Sequence, residues 1–343
     1  MAHALLSPSS AHRWTQCKGS VYLTKDLPNV SGAAADYGTL AHECAEKILA
    51  KEATLSDLIL EHPEIDEPMI EGINIYLKEI ESLREPTSVL HVEYKLPVGR
   101  ITTEKNGQGT ADAIIINSEE LIIADLKFGR SKVSAKDNYQ LKIYALAAAL
   151  HFDWDKQIKV GIIQPLLNYK EYETYTVKEL KAWGKTITAI SKEVLDMANG
   201  KVRPEFKPDN KTCKWCKGIA HCPALAEEMF EMMEDKFAPL DRLAQYIDIA
   251  RRWADSVEQR SLDALIAGEK FDFMELGQGR DGNRKWIDEK QAEETVKTFL
   301  GSKAYVQKLI SPTQAAKLTD VDFSYLVTRE PGKPKIIFTN EKN

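Results

Sequence analysis

The chain has 343 residues, 43% hydrophobic and 29% charged, with a mean hydropathy of −0.36. That composition suits a soluble globular protein with room for one large domain plus an extension, and no apolar run reaches the length of a membrane span. A net charge of −6 counts against a protein that coats nucleic acid through bulk charge, although metal ions and local basic groups can still meet phosphates.

The opening Met-Ala-His-Ala-Leu-Leu-Ser-Pro lacks the charged and long apolar regions of a signal peptide. An intracellular location is therefore expected, which suits reduced cysteines. Periodicity predicts helices over 38–51 and 67–83, then an alternating strand from Val89 to Val98. Gly107-Gln108-Gly109 reads as a turn. Two apolar runs, 111–117 and 120–128, are joined by Asn117-Ser118-Glu119-Glu120, a hairpin signal. An Ala/Leu-rich helix is expected over 136–151, a strand over 157–165 closed by Pro165, and a helix over 176–198. Helix, three strands, helix, strand is the order of an α/β fold, a mixed sheet flanked by helices. Residues 224–268 read as helical, with a Met-rich stripe that is expected to be core. The segment 277–286 is Gly-rich and basic with Trp286, fit either for a DNA backbone or for a plain exposed turn. The tail from Pro331 to Asn343 is polar and expected to be loose.

Three short pieces converge on one chemistry. Gly109-Thr110-Ala111-Asp112 leads into the first apolar run of the hairpin, Asp125-Leu126-Lys127 ends the second, and Gln140 and Tyr144 follow on the helix. Hard cations such as Mg²⁺ and Mn²⁺ prefer carboxylate oxygens, and Asp112 and Asp125 supply them. Residues i and i+2 of a strand share a face, so Lys127 joins Asp125, placed to orient a water or to stabilise transition-state charge. Gln140 and Tyr144, four apart, share a helix face. That is equipment for metal-dependent cleavage of a phosphodiester bond. Glu43 and Glu93 read as a solvated helix residue and a strand residue, either within possible reach of the metal. Arg130, Lys132 and Lys136 lie just beyond the lysine, as phosphate contacts or as solvated surface.

The five cysteines are Cys17, Cys44, Cys213, Cys216 and Cys222. Cys213-Lys214-Trp215-Cys216 with Cys222-Pro223 is a compact ligand cluster for zinc or an iron–sulfur cluster. Three cysteines need a fourth partner: Cys17 is one candidate, and His221 could replace a thiolate at a zinc. Cys44 reads as a buried free thiol.

The ordered set Asp112, Asp125-x-Lys127 and Gln140-x-x-x-Tyr144 resembles the PD-(D/E)xK nuclease superfamily in its RecB-like and Cas4-like branch. Gly38-Thr39-Leu40-Ala41-His42-Glu43 matches the early histidine of that branch, which implies His42 as a further metal ligand. The resemblance implies a restriction-endonuclease-like core and a [4Fe–4S] cluster held by Cys17, Cys213, Cys216 and Cys222. Such a cluster would staple the two ends of the nuclease domain, 1–223, ahead of a mainly helical extension, 224–343. In this sequence Lys18 follows the first cysteine where many relatives have proline. Ser7-Pro8-Ser9-Ser10-Ala11-His12-Arg13-Trp14, Asp125-x-Lys127-Phe128-Gly129 and Gly279-Arg280-x-x-x-Arg284-Lys285-Trp286 are similar to an uncharacterised phage and prophage family of that superfamily. This implies a Mg²⁺- or Mn²⁺-dependent DNA exonuclease in the bacterial host cytoplasm, working in phage DNA processing or recombination. Recombination or helicase proteins would be its partners, since the chain carries no helicase motif. The alternative is a non-catalytic DNA-binding or assembly module that keeps the fold and the cluster. Intact Asp112, Asp125 and Lys127 favour the enzyme.

Overall fold

A computed structural model describes residues 4–29, 32–234, 239–271 and 274–275. Residues 1–261 form one compact unit and 262–343 a second. Of the second, the described part is the end of the last helix and a few residues after it. The basic 277–286 segment and the tail fall outside the described residues. No helix among the described residues is long and apolar enough to cross a membrane.

The first unit is built on a five-stranded mixed sheet in the order β1-β2-β3-β4-β5. The strands are β1 (Val89–Leu96), β2 (Gly109–Ile116), β3 (Glu120–Leu126), β4 (Gln157–Gln164) and β5 (Tyr169–Thr176). Pairing is antiparallel throughout except between β3 and β4. A parallel pair needs a long crossover, and the helix Tyr139–His151 supplies it. Central β3 is buried from Leu121 to Leu126, as a strand covered on both faces must be.

Before the sheet come α1 (Ala11–Gln16), α2 (Ser20–Thr24), α3 (Ala33–Leu49), α4 (Leu55–Glu61) and α5 (Glu67–Ser82); the short α6 (Gly99–Thr102) follows β1. The crossover is α7 (Tyr139–His151), and α8 (Val177–Ala198) follows β5. Local chemistry sets their starts. Asp66 accepts from Met69 N at the head of α5, Asn138 accepts from Leu141 N at α7, and Thr176 with Glu179 makes a capping box for α8. Side chains from α3, α4 and α5 cover one face of the sheet with Ala113, Ile115, Ile122 and Ala124. Those of α1, α7 and α8 cover the other with Ile114, Leu121, Ile123 and Val160.

Several elements differ from the sequence expectation. The strand β5 was not expected, because Tyr169-Lys170-Glu171-Tyr172-Glu173-Thr174-Tyr175 has three charged residues in seven, as a sheet edge tolerates. The helix expected from 136 starts at Tyr139, since Glu171 ties Ser134 Oγ and Ala135 N, each at 2.6 Å, into a loop. The helical 224–268 stretch is α9 (Pro223–Glu234), α10 (Leu240–Gln245) and α11 (Ile247–Ile266), with Pro239 just before α10. Its methionine stripe is only partly core: Leu225, Met229 and Met232 are buried with Ile249, Cys213 and Cys222, whereas Met233 is 68% exposed.

Candidate active site

The site forms where the alternation of the sheet breaks. In β1, Leu90 packs on the α3/α5 core, while Tyr94 and Leu96 join the α7/α8 core. A regular strand would put all three on one face. In β2, Ala111 and Ala113 are divided in the same way. The switch falls at Glu93, whose φ of 45° is left-handed. Asp112 lies opposite, where the otherwise continuous β1–β2 register lacks a pair. A left-handed conformation costs a non-glycine residue about 1–2 kcal/mol. Its result here is that Glu93 and Asp112 turn together toward α3 and meet His42. The candidate ligand atoms of these three all lie within 4.8 Å of one another.

His42 Nδ1 stands 3.5 Å from Asp112 Oδ2, which also accepts from Leu126 N at 2.7 Å. Burial lowers the His42 pKa, against the pull of Asp125, so the imidazole is neutral at pH 7, the form that ligates metals. Burial and then the Asp125 charge raise Asp112 well above the carboxylate range. Burial, with Asp112 next, pushes Glu93 up to about 7. Buried Tyr76, which lines the same recess, has a hydroxyl with no hydrogen-bond partner.

Asp125 is buried and engaged on its other side. Gln140 Nε2 donates to its Oδ1 at 2.8 Å, and Lys127 Nζ donates to Gln140 Oε1 at 3.2 Å. Lys127 Nζ lies 2.7 Å from Asp125 Oδ2. This close ion pair places the ammonium directly on the buried carboxylate. Burial opposes the charge on Lys127, but Asp125 and Asp112 outweigh it and hold its pKa above the ordinary value. Tyr144, one turn beyond Gln140, is buried, and burial followed by Asp125 and Asp112 raises its pKa. It explains Gly109: a Cβ there would come 2.8 Å from the Tyr144 ring and 2.9 Å from Pro8.

The structure thus brings together His42, Asp112, Asp125, Lys127, Gln140 and Tyr144. Sequence reasoning grouped His42, Asp112 and Asp125 as ligands; the tight group is His42, Glu93 and Asp112, with Asp125 held by Lys127 and Gln140. Glu93 was only a possible contributor, and its signal is a carboxylate at the position where β1 changes faces. Tyr76 and Gln164 went unnoticed. Gln164 is fully buried, accepts from Val133 N and donates to the carbonyls of Gly129 and Ser131, holding the loop that carries Arg130 and Lys132. Those two and Lys136 are exposed. Glu43 is exposed too and pairs with Lys47 at 3.1 Å.

Cys17, Cys213, Cys216 and Cys222 line one cavity with Arg13, Phe206 and Leu225. His221 is exposed and is not among the lining residues. The two ends of the chain segment meet there: Gly19 N donates to Glu205 O at 2.7 Å, and Lys207 N to Cys17 Sγ at 3.4 Å. A Cβ at Gly19 would strike Glu205 O at 2.7 Å. All five cysteines are free. Burial raises the pKa of Cys17 and Cys222 and pushes Cys213 up to about 12. Cys44 is buried in the α3/α5 core.

The chain belongs to the DUF2800 family, described as a protein of unknown function, whose model matches residues 3–343. Among solved structures it is similar to a "Putative exonuclease" from Eubacterium rectale, at 11% identity over 65% of this chain and 87% of that one, with a TM-score of 0.41. It is also similar to SSO0001, at 20% identity over 61% of this chain and 95% of that one, with a TM-score of 0.27. Likeness at this level says nothing about chemistry, which rests on the residues themselves.

Proposed function

We propose that this DUF2800 protein is a divalent-metal-dependent DNA nuclease, an exonuclease of the PD-(D/E)xK type, with its chemistry in residues 1–223 and an extension in 224–343. The observation that carries the reading is the pair of linked clusters, His42–Glu93–Asp112 and Asp125–Lys127–Gln140. Their donor set fits a hard cation: the carboxylates of Glu93, Asp112 and Asp125 and one neutral imidazole. Mg²⁺ or Mn²⁺ bound there would supply a Lewis acid and a water acidic enough to ionise at neutral pH.

The protein's own groups have separable roles. Leu126 N fixes the Asp112 carboxylate. Gln140 fixes both Asp125 and Lys127. Lys127 keeps its proton and offers positive charge where negative charge develops on the phosphate. The packed His42 helix and the Tyr76 side chain close the recess on the α3/α5 side.

Cys17, Cys213, Cys216 and Cys222 are read as the ligands of a [4Fe–4S] cluster, with zinc as the alternative. What supports a shared metal is that all four side chains line one cavity, which His221 does not.

The test is digestion of end-labelled linear and circular DNA, single- and double-stranded, with Mn²⁺ or Mg²⁺. Degradation from ends of linear DNA that is lost in Asp112→Asn supports the reading. A folded wild-type protein that binds DNA but leaves every substrate intact with both metals refutes it in favour of a non-catalytic module.

A further inference from the structure

Trp215 is 71% exposed, the most exposed aromatic side chain among the described residues. It sits on a single 3-10 turn, Cys213–Trp215, between two of the cavity cysteines. The turn is well held. Cys216 N donates to Cys213 O at 3.1 Å and Cys213 N to Asp209 O at 2.9 Å. Arg13 Nη1 donates to Trp215 O at 3.3 Å, and Arg252 Nη1 to Lys214 O at 3.5 Å. The indole is therefore presented outward on a fixed backbone.

The turn lies in a basic segment: between 201 and 217 the sequence has six lysines and arginines against two acids, in a chain of net charge −6. Lys214 Nζ lies 5.1 Å from the Trp215 ring centroid. Lys217 Nζ donates only to neutral acceptors, Leu27 O and the Asn29 side chain. Arg13, Lys214 and Lys217 form no salt bridge with any carboxylate among the described residues.

We infer that Trp215 is a base-stacking platform for single-stranded DNA, with Lys214, Lys217 and Arg13 facing the phosphates. A flat exposed ring inside unpaired positive charge matches a polyanion that carries accessible π-faces. Duplex DNA hides those faces in its own stack, so the surface selects an unpaired strand or a frayed end. The inference rests on DNA being the ligand of the nuclease proposed above, and it adds strand preference to that reading.

The experiment measures anisotropy of fluorescein-labelled oligothymidylate and of a blunt duplex with the full-length protein in EDTA, alongside Mn²⁺-dependent cleavage. Trp215→Ala is expected to weaken single-strand binding by about 5- to 150-fold, the worth of one stacked base, and to leave duplex binding unchanged. Trp215→Phe should recover most of the loss. Lys214→Ala should flatten the salt dependence of single-strand binding by about 0.7 in the log–log slope. Trp215→Ala protein with wild-type melting temperature and wild-type single-strand affinity overturns the inference and leaves a protein partner as the occupant. Cleavage together with Trp215-independent binding sinks this inference alone. Trp215-dependent binding without cleavage by the wild type sinks the hydrolytic reading and keeps this one.

Discussion

Replacing Glu93 with glutamine should stabilise the metal-free protein. Glu93 is drawn toward Asp112 and His42 by its left-handed backbone. Burial first, then the Asp112 charge, lifts its pKa from 4.5 to about 7. A carboxyl raised on folding subtracts stability as pH climbs from its unfolded pKa to its folded pKa, and the cost levels off above that. At about 1.4 kcal/mol per pH unit, the gap amounts to about 3 kcal/mol. Solvent screening of a group that is only partly buried reduces this to about 1–2 kcal/mol. At pH 8 in EDTA, Glu93→Gln should therefore melt about 3–6 °C above wild type. Below about pH 3.5 the advantage should vanish, because both states then hold the proton. The same variant should bind Mn²⁺ more weakly in calorimetric titration, since a ligand oxygen has lost its charge. A Glu93→Gln protein that melts below wild type at pH 8 without metal would refute the crowded-carboxylate account.

Lys127→Ala should reduce Mn²⁺-dependent cleavage by orders of magnitude in protein that still folds but melts lower, because buried Asp125 loses its counter-charge; wild-type rates in the gel assay would remove Lys127 from the site. Protein purified without oxygen should be brown, and Cys17→Ser should lose the colour and the iron as fully as Cys216→Ser, whereas Cys44→Ser keeps both. Because binding energy at such a site is also folding energy, the two ligand variants should melt lower. Gly109→Val should destabilise by about 1–3 kcal/mol in urea titration, because even its Cβ meets Tyr144 and Pro8 below 3.0 Å.

Much of the fold was legible because its strands obey simple rules. The continuous apolar run of β3 announces a central strand, and the Asn117-to-Glu120 turn announces the β2–β3 hairpin. The edge strand β5 was not legible, since charged residues at a sheet edge look like loop. The short helices α1, α2 and α4 were missed because five to seven residues hold too little periodicity to register. At the site, Asp125, Lys127 and Gln140 could be grouped from spacing, and the geometry does link them by hydrogen bonds and an ion pair. Glu93 could not be ranked, because period-2 reasoning assumes an unbroken strand, and this strand changes face at that residue.

That break accounts for how the site tolerates its own charge. With β1 and β2 both regular, Glu93 and Asp112 would face the α7/α8 side, away from His42. The left-handed turn at one residue brings both carboxylates round to the imidazole together. In the metal-free protein both the backbone strain and the raised Glu93 and Asp112 pKa values are costs. A divalent cation reverses the electrostatic part of that cost, since it favours the ionised carboxylates that burial disfavours. Stability should thus rise with Mn²⁺ more steeply in wild type than in Glu93→Gln, so that the two melting curves cross as the metal is titrated. The crossing point reports what the strained residue contributes to the cation, independently of any cleavage assay.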